Sequence, residues 1–211
     1  MAGLAARSLI FVHALAMSAA LAAQGGPGCD VIDVGSESFS LDGSANNNLI
    51  HFVRPTIKQC NLKIEADDAF STGVDFDVHS EWRFKGHVHI TADGKTMEAD
   101  SAVFAFEKNQ LSRAELLGAP ASFSASRAEP GKDPVRGSAN KIVFDYVAQT
   151  LRLSENVVIT RDRLRAQGCD VIYDFKNEKM RSGDADCGAE DYNIRVINPQ
   201  PRANANRPAP P

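Results

Sequence analysis

The sequence predicts an all-β fold, a jelly roll or short solenoid of antiparallel strands wound around an apolar interior. Three observations point there. Short runs rich in Val, Ile, Phe and Thr are punctuated by Gly, Asn and Asp; apolar and polar residues alternate within the runs; and one strand–turn–strand unit recurs along the chain. A length of 211 residues suits one domain with processing segments at its ends.

The chain begins Met-Ala-Gly-Leu-Ala-Ala-Arg7, continues in an apolar run from Leu9 to Ala23, and ends that run in Ala20-Leu21-Ala22-Ala23. A basic start, a short apolar stretch and small residues before the cut are what the secretion machinery reads, so residues 1–23 are expected to be a cleaved signal peptide. An uncleaved membrane anchor is the alternative, but the run is shorter than the roughly 20 apolar residues a spanning helix needs. Gly26-Pro27-Gly28 precedes Cys29 where a lipoprotein signal would carry aliphatic residues.

The repeat lies within residues 24–197, the expected domain. Ala-Val-Phe-Ala-Phe ending at Phe106, Ile-Val-Phe-Asp-Tyr ending at Tyr146 and Val-Ile-Tyr-Asp-Phe ending at Phe175 are copies of one strand. Each is followed by a polar turn, at Glu107-Lys-Asn-Gln110, Val147-Ala-Gln-Thr150 and Lys176-Asn-Glu-Lys179, and then by a second strand carrying Leu111, Leu151 or Met180. A second motif precedes two of the units: Gly86-His-Val-His-Ile90 matches Glu155-Asn-Val-Val-Ile159, followed by Lys95-Thr-Met-Glu-Ala99 and Leu164-Arg-Ala-Gln-Gly168. A weaker copy opens the domain, where Leu62-Lys-Ile-Glu-Ala66-Asp67 echoes Lys95-Thr-Met-Glu-Ala99-Asp100.

Side chains two apart on a strand share a face, so the repeats define an inside. Phe104 with Phe106, Ile142 with Phe144 and Tyr146, and Val171 with Tyr173 and Phe175 point one way. Ile64, Val88 with Ile90, Met97, and Val157 with Ile159 are expected to join them, while Asp145 and Asp174 point outward. The simplest reading of this apolar set is a core; the functional question is whether that core closes on itself. A loop is expected from Arg127 to Pro134, where Glu-Pro-Gly-Lys-Asp-Pro interrupts any strand, and residues 198–211, all Pro, Asn, Arg, Ala and Gln, are expected to form a disordered tail.

Composition and motifs exclude several functions. A net charge of −4 gives no basic field for nucleic acid. No Gly-x-Ser-x-Gly elbow, phosphate loop or dinucleotide fingerprint occurs, and neither an enzyme nor a cofactor is expected. His87 and His89 straddle Val88 on the predicted outer face, the start of a two-histidine metal site without a third ligand. A metal or glycan enzyme on a β jelly roll is the rival reading that stoichiometric zinc would favour. Arg161, Arg163 and Arg165 alternate as a basic stripe would, against the simpler reading of a solvated strand. Cys29, Cys60, Cys169 and Cys187 are even in number, lack Cys-x-x-Cys spacing and suit disulfides in an oxidising compartment, with free buried thiols as the alternative. Four cysteines allow three pairings. Cys29–Cys60, about one repeat length apart, and Cys169–Cys187, which bracket a strand pair, are the expected ones.

These motifs resemble the OstA-like domain family of periplasmic lipopolysaccharide-transport proteins. The residues that carry the likeness are Phe84-Lys-Gly-His-Val-His-Ile90, the hinge Leu117-Gly-Ala-Pro-Ala-Ser-Phe123, Val135-Arg-Gly-Ser-Ala139 through Tyr146, and Asp170-Val-Ile-Tyr-Asp-Phe175 with Lys179-Met180. The resemblance implies a V-shaped, twisted antiparallel β jelly roll whose apolar cleft holds acyl chains, stacking head to tail as a homo-oligomer. It implies lipopolysaccharide as ligand, the inner-membrane export complex and outer-membrane translocon as partners, the periplasm as location, and no catalysis. A membrane-anchored sister component of the same export system is the alternative within the family. The four cysteines, Arg54-Pro55 in the first unit, and Arg161-Asp162 in place of a Gly-containing turn depart from the family pattern, and the first two bear on the N-terminal edge, one of the stacking surfaces the resemblance implies.

Overall fold

The computed structural model describes residues 31–42, 49–72, 80–183, 187 and 192–196. Among them every regular element is a strand: β1 (Asp33–Gly35), β2 (Ser38–Asp42), β3 (Leu49–Val53), β4 (Thr56–Gln59), β5 (Leu62–Glu65), β6 (Asp68–Ser71), β7 (Ser80–Ala92), β8 (Lys95–Glu107), β9 (Gln110–Ala125), β10 (Val135–Asp145), β11 (Thr150–Arg161), β12 (Leu164–Asp174), β13 (Lys179–Ser182) and β14 (Asn193–Val196). All join one antiparallel sheet that does not close.

A crease runs across this sheet. The ladders slip in register between Lys85 and Val88, between Glu98 and Ser101, between Ala139 and Lys141, and between Ser154 and Val157. Extra unpaired residues in a ladder bend the strand and raise its twist. The two motif copies prove to be the same bulge: Gly86 and His87 have φ of 74° and 45°, and their counterparts Glu155 and Asn156 have 64° and 54°. Nearer the N-terminus the strands break outright, β3 from β4 at Arg54-Pro55 and β5 from β6 at Ala66-Asp67. There the Arg54 amide donates to the Asp67 carbonyl at 2.7 Å and the Asp67 amide to the Gly86 carbonyl at 2.9 Å, continuing the crease. The hinge residues 117–123 lie on it too, inside β9, with a cis Ala119-Pro120 bond.

The crease makes two wings. One runs β2, β3, β6 and then the halves of β7–β12 around residues 80–85, 101–107, 110–117, 141–145, 150–154 and 170–174, ending in β13. The other runs β1, β4, β5 and the remaining halves, ending in β14. Apolar residues of both wings pack into one core. The predicted turns stand where expected. Lys108 and Asn109 are both left-handed, at φ 51° and 60°, which suits a two-residue hairpin turn between right-twisting strands. The two longer turns end in left-handed Gln149 and Glu178. Each opens with an aspartate whose Oδ1 accepts an amide three residues on, Asp145 from Ala148 at 2.8 Å and Asp174 from Asn177 at 2.9 Å. Residues 126–134 carry no strand, as the Pro and Gly there require.

Three expectations are corrected. Arg161 ends β11 and Leu164 begins β12, with Asp162 left-handed at φ 52°, so the three arginines span a hairpin turn and form no stripe. His87 sits in the bulge, where its Nδ1 lies 2.7 Å from Asp67 Oδ2, so it does not share a regular strand face with His89. The N-terminal edge is made by β1 and β2 rather than by residues 52–67, and Arg54-Pro55 lies on the crease instead of at that edge.

Candidate functional site

The interior between the wings is the strongest candidate, and every predicted apolar position reaches it. Ile64, Val88, Ile90, Met97, Phe104, Phe106, Ile142, Phe144, Val157, Ile159, Val171 and Tyr173 are buried in the core, and Tyr146 and Phe175 pack half-buried against it. Two aromatic clusters dominate. Toward the N-terminal end Phe52 stacks on Trp82 at 5.3 Å between centroids, and Phe84 meets Phe104 edge-on at 4.9 Å. Toward the C-terminal end Phe175 is edge-on to Tyr173, Phe144 and Phe123 at 5.0, 5.9 and 6.4 Å. Such pairs contribute about 0.5–1.5 kcal/mol each beyond their area. Burial pushes the phenols of Tyr146 and Tyr173 up, so both rings stay uncharged through the neutral range.

The repeat alignment missed Trp82, Phe84, Ile57, Leu116, Phe123 and Leu153, all buried in the same interior. Trp82 and Phe84 alternate directly before the bulge, and that spacing was the signal available for them.

The wings meet again at the mouth opposite the crease, through side chains of hairpin turns. Gln59 Nε2 donates to the Asn109 carbonyl, Tyr146 faces Asp93, and Lys95 Nζ lies 5.3 Å above the Phe175 ring. The densest contact centres on Glu178. Its Oε2 accepts Arg127 Nη2 at 2.8 Å and Arg161 Nη2 at 3.1 Å, while Arg127 Nη1 lies 2.9 Å from both oxygens of Asp162. The Arg127 guanidinium holds the Glu178 carboxyl below its ordinary range, and Glu178 in turn raises Arg127. A depressed carboxyl contributes stability above its unfolded pKa and loses it as pH falls through the folded value. The mouth is therefore expected to loosen only below the ordinary glutamate value of 4.5, seen as a near-ultraviolet dichroism change that Glu178→Gln removes.

The outer face is polar, with Thr96, Ser122, Ser124, Arg136 and Thr160 lining a shallow trough. Asp145→Ser lies on the side away from the core and keeps an oxygen for the turn amide, so it is expected to cost under about 1 kcal/mol in urea unfolding. Among the described residues no group of three His, Cys, Asp or Glu side chains could hold a metal ion. His89 Nδ1 lies 3.7 Å from Glu98 Oε1, and His87 pairs with Asp67.

Cys169 and Cys187 form the expected disulfide, with Cα atoms 5.7 Å apart. Cys60 is disulfide-bonded, and its expected partner Cys29 lies outside the described residues, as do residues 1–23 and 198–211. Non-reducing peptide mapping is expected to recover Cys169 joined to Cys187; a Cys29–Cys187 peptide would overturn both pairings. Beside this disulfide, Asp170 is fully buried, its carboxylate taking Arg152 Nε at 2.9 Å and Nη2 at 2.6 Å and its carbonyl taking the Tyr192 hydroxyl at 2.8 Å.

Residues 63–179 match the family described as "LptA/(LptD N-terminal domain) LPS transport protein". Among solved structures the chain is similar to LptH of Pseudomonas aeruginosa, described as the LptA homologous periplasmic component of the conserved lipopolysaccharide transport device. The two share 13% identity over 82% of this chain and 100% of that one, with a TM-score of 0.53, a likeness of fold. No curated protein matches the chain. With the family match taking in more than half of the sequence, and an open, creased, all-antiparallel sheet matching that solved fold, the chain belongs to the LptA and LptD N-terminal-domain family of lipopolysaccharide-transport proteins.

Proposed function

We propose that the protein is a non-enzymatic periplasmic carrier that shelters the acyl chains of lipopolysaccharide between its two wings and hands the lipid from the inner-membrane export complex toward the outer-membrane translocon. The observation that carries this is the unbroken apolar interior, lined from Phe52 at one end to Tyr173 at the other, in a chain of this family. A lipid with several acyl chains crosses water slowly, since each exposed CH₂ costs about 0.8 kcal/mol. A channel of apolar side chains that continues from copy to copy removes that cost. In this reading residues 1–23 direct export and are cleaved, the domain spans 24–197, and the tail from residue 198 is dispensable.

The test is mass spectrometry of lipid that co-purifies with the protein from the periplasm. A species containing lipid A at near-equimolar amounts is expected. Phospholipid alone, or none, sinks the assignment. N-terminal sequencing of the mature protein separates the soluble carrier, which has lost residues 1–23, from an anchored sister component, which retains them.

A further inference from the structure

The interior is packed shut. Ile57, Ile64, Phe104, Phe106, Leu116 and Ile142 are each 0% exposed, so no acyl chain can enter unless the wings separate. We propose that the polar contacts along the mouth are a clasp that holds the wings closed and must part for an acyl chain to enter, with Glu178 as the residue that keeps it shut. This rests on the reading of the interior as the acyl-chain site and adds what governs access to it.

The topology assigns the moving edge. Backbone ladders run along each wing and continue from wing to wing only within strands that cross the crease; among the described residues no strand pairing bridges the mouth. Parting the mouth therefore breaks side-chain contacts and leaves every ladder intact. The bulges at Gly86-His87 and Glu155-Asn156 supply the hinge, because bulged residues lack the ladder bonds that stiffen a strand.

At the mouth the charges are matched and held. Arg127, whose side chain is only 8% exposed, and Arg161 come from the ends of one wing, and Glu178 comes from the turn that ends the other. The Ala128 amide adds a third donor to the Glu178 carboxylate. Asp162 completes a neutral set of two arginines and two acids. Glu178 occupies this place at a backbone cost, since its φ of 48° closes a turn that Gly or Asn would fill with less strain. The turn alone gives no reason for a glutamate there; the three donors facing it do.

That strain also supplies a clean test. Glu178→Gly suits the left-handed turn and removes the carboxylate at the centre of the clasp, leaving only the Arg161 bond to the residue-178 carbonyl there, so it is expected to keep the cooperative thermal transition of the unaltered chain. Two readouts follow on the full-length mature protein. Fluorescence of 1-anilinonaphthalene-8-sulfonate, which brightens on apolar surface, is expected to rise severalfold in the variant. Stopped-flow association of lipid A is expected to quicken by about tenfold, because a larger fraction of the protein is already open. Arg127→Gln, which leaves the turn untouched, is expected to do the same and decides the matter if the glycine variant loses its transition. Unchanged dye fluorescence, or a brighter dye in a variant that binds lipid A no faster than the lipid-binding unaltered chain, overturns the clasp. A brighter dye with no lipid A binding by any of the proteins, the unaltered chain included, keeps the clasp and sinks the acyl-chain site instead.

Discussion

Replacing Phe144 by aspartate is expected to abolish lipid A binding and to destabilise the fold by about 4 kcal/mol or more. The ring is 2% exposed and meets Tyr146 and Phe175 edge-on, each at 5.9 Å. It sits on β10 with Ala114 on one neighbouring strand and Leu151 on the other, so its surroundings are apolar on both sides. Removing a buried phenylalanine ring costs about 3–5 kcal/mol through lost transfer energy and the cavity left behind. The new carboxylate would then lie beside rings and leucine with no donor to satisfy it, or would draw in its proton at further cost. Tyr173→Asp is expected to act alike, because Tyr173 is equally buried and lies 5.0 Å from Phe175. Phe144→Leu separates the roles of shape and polarity: it keeps the site apolar and is expected to retain lipid binding with a smaller loss of stability. Urea unfolding gives the stabilities, and lipid A retention on the immobilised protein gives the binding. A folded Phe144→Asp variant that holds lipid A as the unaltered protein does would show that acyl chains lie elsewhere.

Phe144 and its companions were legible because their burial follows directly from alternation, and alternation survives in every copy of the repeat. The crease was also written in the sequence, in a form less easily read. On β8 the inward set changes from odd positions, Met97 and Ala99, to even ones, Ala102, Phe104 and Phe106. On β12 it changes from Ala166 to Val171 and Tyr173. A switch of parity within an uninterrupted run is what one extra residue in a ladder produces, and on β8 it marks the fold line without any glycine or proline. On β7 and β11 two residues are inserted, parity is preserved, and the bulge is silent; His87 was placed on a regular face for that reason. The hairpin at Asp162-Arg163 was hidden differently, because its left-handed position is filled by aspartate where the usual signal is glycine. The mouth contacts were beyond any local reading. Arg127 and Glu178 lie on opposite wings, 51 residues apart, and periodicity speaks only of residues on one strand and its repeats.

The unaltered protein is expected to form concentration-dependent rods, and blocking either end of the sheet is expected to leave monomers. Each wing stops at an open edge, β2 and β1 at the N-terminal end, β13 and β14 at the C-terminal end. Most of the large apolar residues left exposed among the described residues lie at these ends, Val147 in a turn and Leu117 on the crease apart: Phe39 and Leu41 on β2 are 71% and 60% exposed, Ile194 and Val196 on β14 are 64% and 67%. They pair directly with inward residues, Phe39 with Phe52 and Ile194 with Ala166, so they extend the interior face beyond the body of the sheet. A second copy that adds its strands there would cover them and prolong the apolar channel. The two ends differ in sequence, and a contact between unlike ends does not close by two-fold symmetry, which makes open rods the expected product. Truncation after Gly183 removes β14 together with Cys187 and Tyr192, but it also uncovers residues 164–167 of β12 as a new edge. The sharper variants keep the strands and charge them, Phe39→Lys at one end and Val196→Lys at the other. Each alone is expected to sediment as a monomer at every concentration. Mixed in equal amounts they should form dimers and nothing larger, because only one unblocked end remains on each partner. Sedimentation velocity over a concentration series reads all three states. A single species for the unaltered protein, or a dimer formed by one charged variant alone, would defeat head-to-tail stacking while leaving the interior free to hold lipid.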